Sequence, residues 1–332
     1  GNDIRFMPEK LEQASNFANK IWNAGKFIIN SLADEEKVRE FSEKALLSDD
    51  GYNKDLLKIE DRWILNKLDK LVSEVSKNID NYDIGIAVDK IYNFIWNEFC
   101  DWYIEMVKPR MYSEDEEIKV QVSAMLNYVF GNSLKLLHPF MPFITSEIYS
   151  KLICFGTEDL IVSKWPEVKH EFAFDADESI VESLKKLITE IRNVRTKMNV
   201  HPSKKSKLIL VTNLDKKEIK ESEEFLLKLG FASEIILQEK EENIPQNAVS
   251  IVVDEIKAYI PFEELVDIEQ EKARLQEEIK RLEAEVARGN KMLSNPGFVN
   301  KAPEAKVQEE KDKLANYEQM LKATKERLEK LN

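Results

Sequence analysis

Apolar residues in the first half of the chain recur every three or four positions, which puts them on one side of an α-helix. After Pro8, the residues Leu11, Ala14, Phe17, Ala18, Ile21 and Trp22 share such a face. Residues 31–60 pattern as a short polar helix and a loop. A second long helix begins near Asp61, which fits an N-cap, and is expected to bury Trp63, Ile64, Leu68, Leu71 and Val75. Beyond a turn at Asn78 to Asp83, a third helix carries Ile86, Val88, Ile91, Ile95, Phe99 and Ile104. It is expected to stop at Pro109, where proline cannot donate to the ladder. Ser113 with Glu116 spells a capping box for a fourth helix through Val122, Leu126, Val129, Leu134 and Leu137. His138-Pro139-Phe140-Met141-Pro142 reads as a corner before a short helix with Ile144, Ile148 and Leu152. Helices joined by short connections form an antiparallel bundle.

The period then changes. Gly156 to Asp177 has no repeat and is expected to cross back over the bundle, and a helix follows from Glu178 to Met198. Lys207 to Thr212 reads as a strand, 215–229 as a helix stopped by Gly230, and Glu234 to Gln238, Ala248 to Val253 and Lys257 to Pro261 as further strands. In the last seventy residues a 4-3 repeat appears: Ile268, Lys272, Leu275, Ile279, Leu282 and Val286. It breaks at Gly289-Asn290 and Asn295-Pro296-Gly297, then resumes as Val307, Leu314, Leu321 and Leu328 with Tyr317 and Leu331. Two narrow apolar stripes around a Gly/Pro loop predict an antiparallel coiled-coil hairpin. Arms of about 25 residues would project roughly 37 Å. The expected fold is mainly α: a bundle (1–155), a crossing loop and basic linker helix (156–206), a small α/β module (207–262) and an arm (263–332).

Composition narrows the function classes. The chain has 332 residues, 43% hydrophobic and 33% charged, with only 9 Gly and 10 Pro, which suits helices with real cores. No run of about 18 apolar residues is present, so no membrane span is expected. Cys100 and Cys154 fit neither a disulfide framework nor a metal spacing and read as buried thiols of a cytoplasmic protein. The net charge of -13 argues against a nucleic-acid partner only if it is spread evenly. It is not. Lys185, Lys186, Arg192, Arg195, Lys197, Lys204, Lys205 and Lys207 face one acid, Glu190, and the loop end of the hairpin carries Arg281, Arg288, Lys291 and Lys301 against Glu283 and Glu285.

No bond-making constellation emerges. His138, His170 and His201 have no metal spacing, no glycine-rich phosphate loop occurs, and the carboxylates sit on solvated faces. Binding surfaces do emerge. Asn19, Lys20, Asn23, Lys26 and Phe27 combine amides, cations and a ring, a set that suits unstacked bases. The same spacing also describes an ordinary solvated helix face with Phe27 in the core, and spacing alone favours that. The 185–207 segment suits a phosphate backbone, or equally a helix paired with nearby acids. Met292, Leu293 and Phe298 beside Arg288, Lys291 and Lys301 suit a docking tip, or a loop that caps its own coiled coil.

Several blocks resemble bacterial valyl-tRNA synthetases. They are Gly1-Asn2-Asp3-Ile4-Arg5-Phe6 with the stretch Asn16 to Ala24, Asp61-Arg62-Trp63-Ile64-Leu65, Phe94 to Glu105, and Leu137 to Phe143. Arg192-Asn193-Val194-Arg195 before Met198 to Lys204 fits as well, and so does Leu293-Ser294-Asn295-Pro296-Gly297-Phe298-Val299 with Lys301-Ala302-Pro303-Glu304. The His-Pro-Phe-Met-Pro corner is shared with the isoleucyl and leucyl relatives, whereas the Asn-Pro-Gly-Phe loop points to the valyl family. The resemblance covers nearly the whole chain. It implies an anticodon-binding bundle and an arm on the outer corner of tRNA(Val). The ATP-handling signatures and the editing domain are absent here and expected upstream of Gly1. On that basis the chain alone is expected to be inactive, cytoplasmic and monomeric, with no cofactor of its own, while ATP and Mg serve the parent enzyme. Its partners would be tRNA(Val) and the catalytic and editing domains. The candidate tRNA contacts are Asn19, Lys20, Asn23, Lys26 and Phe27 on the bundle, Arg192, Arg195, Lys204 and Lys205 on the linker helix, and Arg281, Arg288, Lys291, Phe298 and Lys301 on the arm. Lys26 stands where relatives often carry Arg, which keeps the charge but loses the two-pronged reach. The reading from another class is a protein-interaction scaffold that pairs through its coiled coil.

Overall fold

A computed structural model describes residues 7–47, 51–153, 159–169, 174–214, 216–265, 268–295, 297 and 303–329. Cys154, His170, Pro296 and Leu331 lie outside the described residues.

The bundle is built on two long helices, α3 (Ile59–Asp80) and α6 (Glu116–Leu137). α6 buries Val122, Ala124, Met125, Leu126, Val129, Phe130 and Leu134 on nearly every side, as a central helix must. Around it lie α1 (Pro8–Asn30), α2 (Glu35–Ala45) and α4 (Ile84–Asn93), with α5 (Ile104–Met111) and α7 (Pro142–Tyr149) closing the ring. α4 passes into ten residues of π-helix, Phe94–Tyr103, and then into α5 with no break in αR backbone. Pro109 therefore does not stop the third helix where expected. The helix survives it by two residues, losing only the one ladder bond that proline cannot donate.

Three other local expectations change. The N-cap of α6 is Asp115, whose carboxylate accepts from the Glu117 amide, and Ser113 instead accepts from Asp115 one turn earlier. Asp61 is not the N-cap of α3 but lies inside its first turn, where it accepts from the Lys58 amide at 3.1 Å. On α1 the buried face is Phe17, Ile21, Ala24, Gly25 and Ile28. Leu11 and Ala14 are exposed along with all of residues 8–16, Trp22 is exposed because it turns away from the buried face, and Ile86 near the start of α4 is exposed too.

Gly25 is the point of closest approach between α1 and α7. A Cβ there would lie 2.8 Å from Cγ2 of Ile148, which is buried. Gly25→Ala is expected to destabilise the bundle by about 1–3 kcal/mol through overpacking, despite alanine's better helix propensity. Ile148→Ala should then cost less in the Gly25→Ala background than in the parent chain, which a double-mutant cycle by urea unfolding measures. Additive costs would show that the two side chains do not compete for space.

Two buried ionic nodes tie the base of α3 to its neighbours. Arg110 of α5 donates to Glu60 at 2.7 Å and to both oxygens of Asp61 at 2.9 Å, and the Tyr103 hydroxyl donates to Asp61 at 2.7 Å. Arg62 donates to Asp177 at 2.7 Å, to Glu221 at 3.1 Å and to the Leu57 carbonyl at 2.7 Å. Asp177 belongs to α8 (Asp175–Lys197) and Glu221 to α9 (Lys216–Glu221), so one guanidinium fixes both elements on the bundle.

The small sheet has the order β2-β1-β4-β3. β1 (Ser206–Thr212) pairs in parallel with β2 (Ala232–Gln238) and antiparallel with β4 (Ile256–Ile260). β3 (Val249–Val253) forms a hairpin with β4 through Asp254, at φ 47°. The crossover from β1 to β2 is not the single helix expected for 215–229. It is α9 followed by α10 (Glu223–Leu229), separated at Ser222, whose hydroxyl donates to the Glu218 carbonyl. The short α11 is Phe262–Leu265.

The arm consists of α12 (Ile268–Leu293) and α13 (Glu304–Glu329), each 26 residues or about 39 Å long. They run antiparallel and close on Leu275, Leu282 and Val307, with Lys325 paired to Glu283 at 2.7 Å across the seam. Gly289 does not break α12. It lets Leu314 come so near that a Cβ would meet Cδ1 at 3.1 Å.

Candidate nucleic-acid interface

α1 presents three polar side chains in a row. Asn19, Asn23 and Lys26 are four and three residues apart, are exposed, and hold no side-chain hydrogen bond or ion pair among the described residues. Free amides on a rigid helix can read base edges, and the neighbouring cation can meet a phosphate. The adjacent side of α1 faces the π-helix. There Lys20 sits 4.0 Å from the Trp96 ring centroid and pairs with Asp101 at 2.5 Å. Trp96 stacks on Tyr92 at 5.6 Å and an 18° tilt, and Phe17 packs against Tyr92 at 4.6 Å. Phe27, half-buried, carries the Lys108 ammonium 5.6 Å from its ring. Rings and partly neutralised cations therefore meet where α1 packs on the 94–111 helix, and Asn19, Asn23 and Lys26 stand exposed beside that seam.

Cys100, half-buried on the π-helix, has its thiol pushed up to about 12 by burial. It stays protonated and is no nucleophile near neutral pH. His138 bonds Thr145 at 2.8 Å and so braces the corner before α7. His201 bonds Ser203 at 2.7 Å within one exposed turn that the Ser203 amide also closes.

The basic segment sorts into two kinds. Arg192 remains exposed, with Nε donating to the Leu229 carbonyl at 3.2 Å and the guanidinium 5.7 Å from the Trp102 ring. Lys204 is half-buried and Lys205 exposed. Arg195 departs from expectation: it is only 4% exposed. Its Nη2 donates to the carbonyls of His201 and Lys204 at 3.1 and 2.6 Å, and its guanidinium lies 4.6 Å from the Phe231 ring. It shapes the 201–204 turn and so presents Lys204 and Lys205. Lys185 is also internal, bonded to Glu98 and Glu182 and held near Trp63 and Trp102. Lys186 pairs with Asp254 at 3.0 Å. Counting charges along the chain overstates this island.

On the arm, Arg281, Arg288 and Lys291 are exposed, Arg288 with Glu285 at 2.9 Å; Phe298 and Lys301 lie outside the described residues. Trp96, Trp102, Lys108 and Lys228 were not singled out in the sequence as contact residues. No local pattern marks them, since each matters only through a ring or cation on another helix.

The sequence of the chain matches known proteins. Residues 61–210 match the family model for the anticodon-binding domain of tRNA ligase, and residues 267–332 match that for the valyl tRNA synthetase tRNA binding arm. Residues 61–210, which hold most of the bundle, therefore carry the anticodon-binding domain of a class of tRNA ligases. The chain is 42% identical over 333 residues to the valine–tRNA ligase of Clostridium acetobutylicum, covering 99% of this chain and 36% of the relative. It is 39% identical over 315 residues to that of Thermotoga maritima, covering 95% of this chain and 34% of the relative. The chain belongs to the valyl-tRNA synthetase family. It spans about a third of the length of the curated relatives it matches.

Proposed function

We propose that this chain is the tRNA-docking portion of a valine–tRNA ligase. It grips tRNA(Val) at the anticodon and at the elbow and so orients the acceptor end for aminoacylation by catalytic residues outside this chain, which use ATP and Mg. The observation that carries this reading is the row of unpartnered Asn19, Asn23 and Lys26 beside the Phe27 and Trp96 rings, on a bundle that also bears a long arm with exposed Arg281, Arg288 and Lys291. In this reading the two amides read anticodon bases and Phe27 stacks on one. Lys20, Lys26, Arg192, Lys204 and Lys205 meet phosphates, and the arm cations, with Phe298 and Lys301, meet the elbow. Lys20 must first leave Asp101. The scaffold alternative gains no support, because the apolar seams of α12 and α13 face each other.

Titration of labelled tRNA(Val) transcript at several salt concentrations tests the proposal. Binding should weaken steeply with salt. An anticodon-swapped transcript should bind less well, and Asn23→Ala should shrink that difference, each lost base contact being worth about 1–3 kcal/mol. Equal affinity for both transcripts would remove the recognition claim.

A further inference from the structure

Of the cations given to phosphates above, Arg192 belongs to a charge cluster whose other members, Glu105, Lys108 and Lys228, have no role in the docking described so far. It lies where α5, α8 and α10 meet. Glu105 of α5 pairs with Lys108 one turn on. The same carboxylate acts on Arg192 of α8 and on Lys228 of α10, and Lys108 acts on Lys228 in turn. One acid, with a side chain 37% exposed, thus pairs with Lys108 and lies within the field of Arg192 and Lys228, α5 being packed on α10. Partial burial works against the charged form of both Arg192 and Lys228.

The geometry is that of an anion site rather than of incidental surface charge. Arg192 is held in place from two sides, through Nε to the Leu229 carbonyl at 3.2 Å and against the Trp102 ring at 5.7 Å. Its two terminal nitrogens have no partner among the described residues. A guanidinium fixed in this way presents a ready fork to an oxyanion. Lys228 is exposed on the residue next to the carbonyl that fixes Arg192. The cluster is continuous with the base-stacking face, because the Lys108 ammonium also lies 5.6 Å from the Phe27 ring.

We propose that Lys108, Arg192 and Lys228 form a seat for one backbone phosphodiester of the bound RNA, and that Glu105 occupies this seat until RNA displaces it. The inference rests on the tRNA-docking reading. It adds to it a specific phosphate site on the bundle side and an acid that opposes indiscriminate binding. Glu105 keeps the local charge near +2, so a lone anion gains less there than an RNA strand already anchored on α1.

The test is titration of the 332-residue chain with tRNA(Val) transcript over a salt series. Lys228→Ala is the primary variant, since the side chain is exposed and its loss should leave the fold intact. It should weaken binding several-fold and lower the salt slope by about 1. Glu105→Gln should act oppositely, tightening binding about two- to fivefold, the size of a surface ion pair released. Lys37→Ala, on the exposed face of α2, changes net charge equally and should leave affinity within twofold of the parent. If Lys228→Ala matches Lys37→Ala, or Glu105→Gln fails to tighten, the seat is wrong while the docking reading stands. A parent chain that binds no tRNA overturns both.

Discussion

Replacing Arg110 by alanine is expected to destabilise the bundle by about 3–5 kcal/mol, because it leaves buried carboxylates without their countercharge. Glu60, Asp61 and Arg110 are all under 5% exposed, and the guanidinium is the one cation that bonds either acid among the described residues. The node is already incompletely satisfied: Glu60 Oε2 and Arg110 Nε and Nη2 are buried without a hydrogen-bond partner. Tyr103→Phe is a milder companion, removing one hydroxyl bond to Asp61 for about 1–2 kcal/mol. The pH dependence gives an independent readout. Burial pushes the Glu60 carboxyl from 4.5 up to about 7, Arg110 pulling it down and the Asp61 charge adding to the rise. A carboxyl that holds its proton more tightly when folded contributes stability that is full below about 4.5 and is lost as pH rises towards 7. Removing Arg110 takes away the interaction that opposes the rise. Urea midpoints at pH 5 and pH 8 should therefore separate more widely in Arg110→Ala than in the parent. Equal separation would mean that Glu60 does not titrate in this node.

That node also shows where a sequence stops being legible. Glu60-Asp61-Arg62 at the start of a helix looks like a solvated first turn, and three consecutive charges are usually that. Their partners sit at Arg110, Asp177 and Glu221, up to 159 residues away, and no periodicity connects them. Local arithmetic did better where packing is periodic. The 3.6 repeat marks α3 and α6, and short apolar runs rich in Ile, Leu and Val mark β1 and β3. It failed where a neighbour decides the outcome. The outer turns of α1 have an apolar face with nothing to cover it, and Gly289 reads as a break but serves as a contact for Leu314. The candidate site follows the same division. Asn19, Asn23 and Lys26 stand exposed as their spacing implies. Arg195 and Lys185 turn inward, the first to the carbonyls of His201 and Lys204, the second to the carboxylates of Glu98 and Glu182, partners that no spacing rule can see.

Ending the chain after residue 267 is expected to leave the bundle and sheet melting cooperatively, while affinity for tRNA(Val) falls by about ten- to a hundredfold near 0.15 M salt. The stability half follows from packing. The seam of Leu275, Leu282 and Val307 is internal to the arm, and the sheet core formed by Leu208, Leu210, Phe225, Leu226 and Ile260 lies wholly before it. The affinity half follows from charge and reach. Arg281 is exposed at the middle and Arg288 and Lys291 near the far end of a helix of about 39 Å, so they can meet phosphates that the bundle cannot. Losing three such contacts should lower the salt slope by about 2–3. Loss of cooperative melting by calorimetry would make the arm part of the structural core, and unchanged affinity would remove it from docking. The double charge reversal Arg288→Glu with Lys291→Glu, in the full chain, separates the two contributions. It keeps the coiled coil, so if charge rather than bulk holds the elbow it should reproduce most of the truncation's loss of affinity with no change in melting.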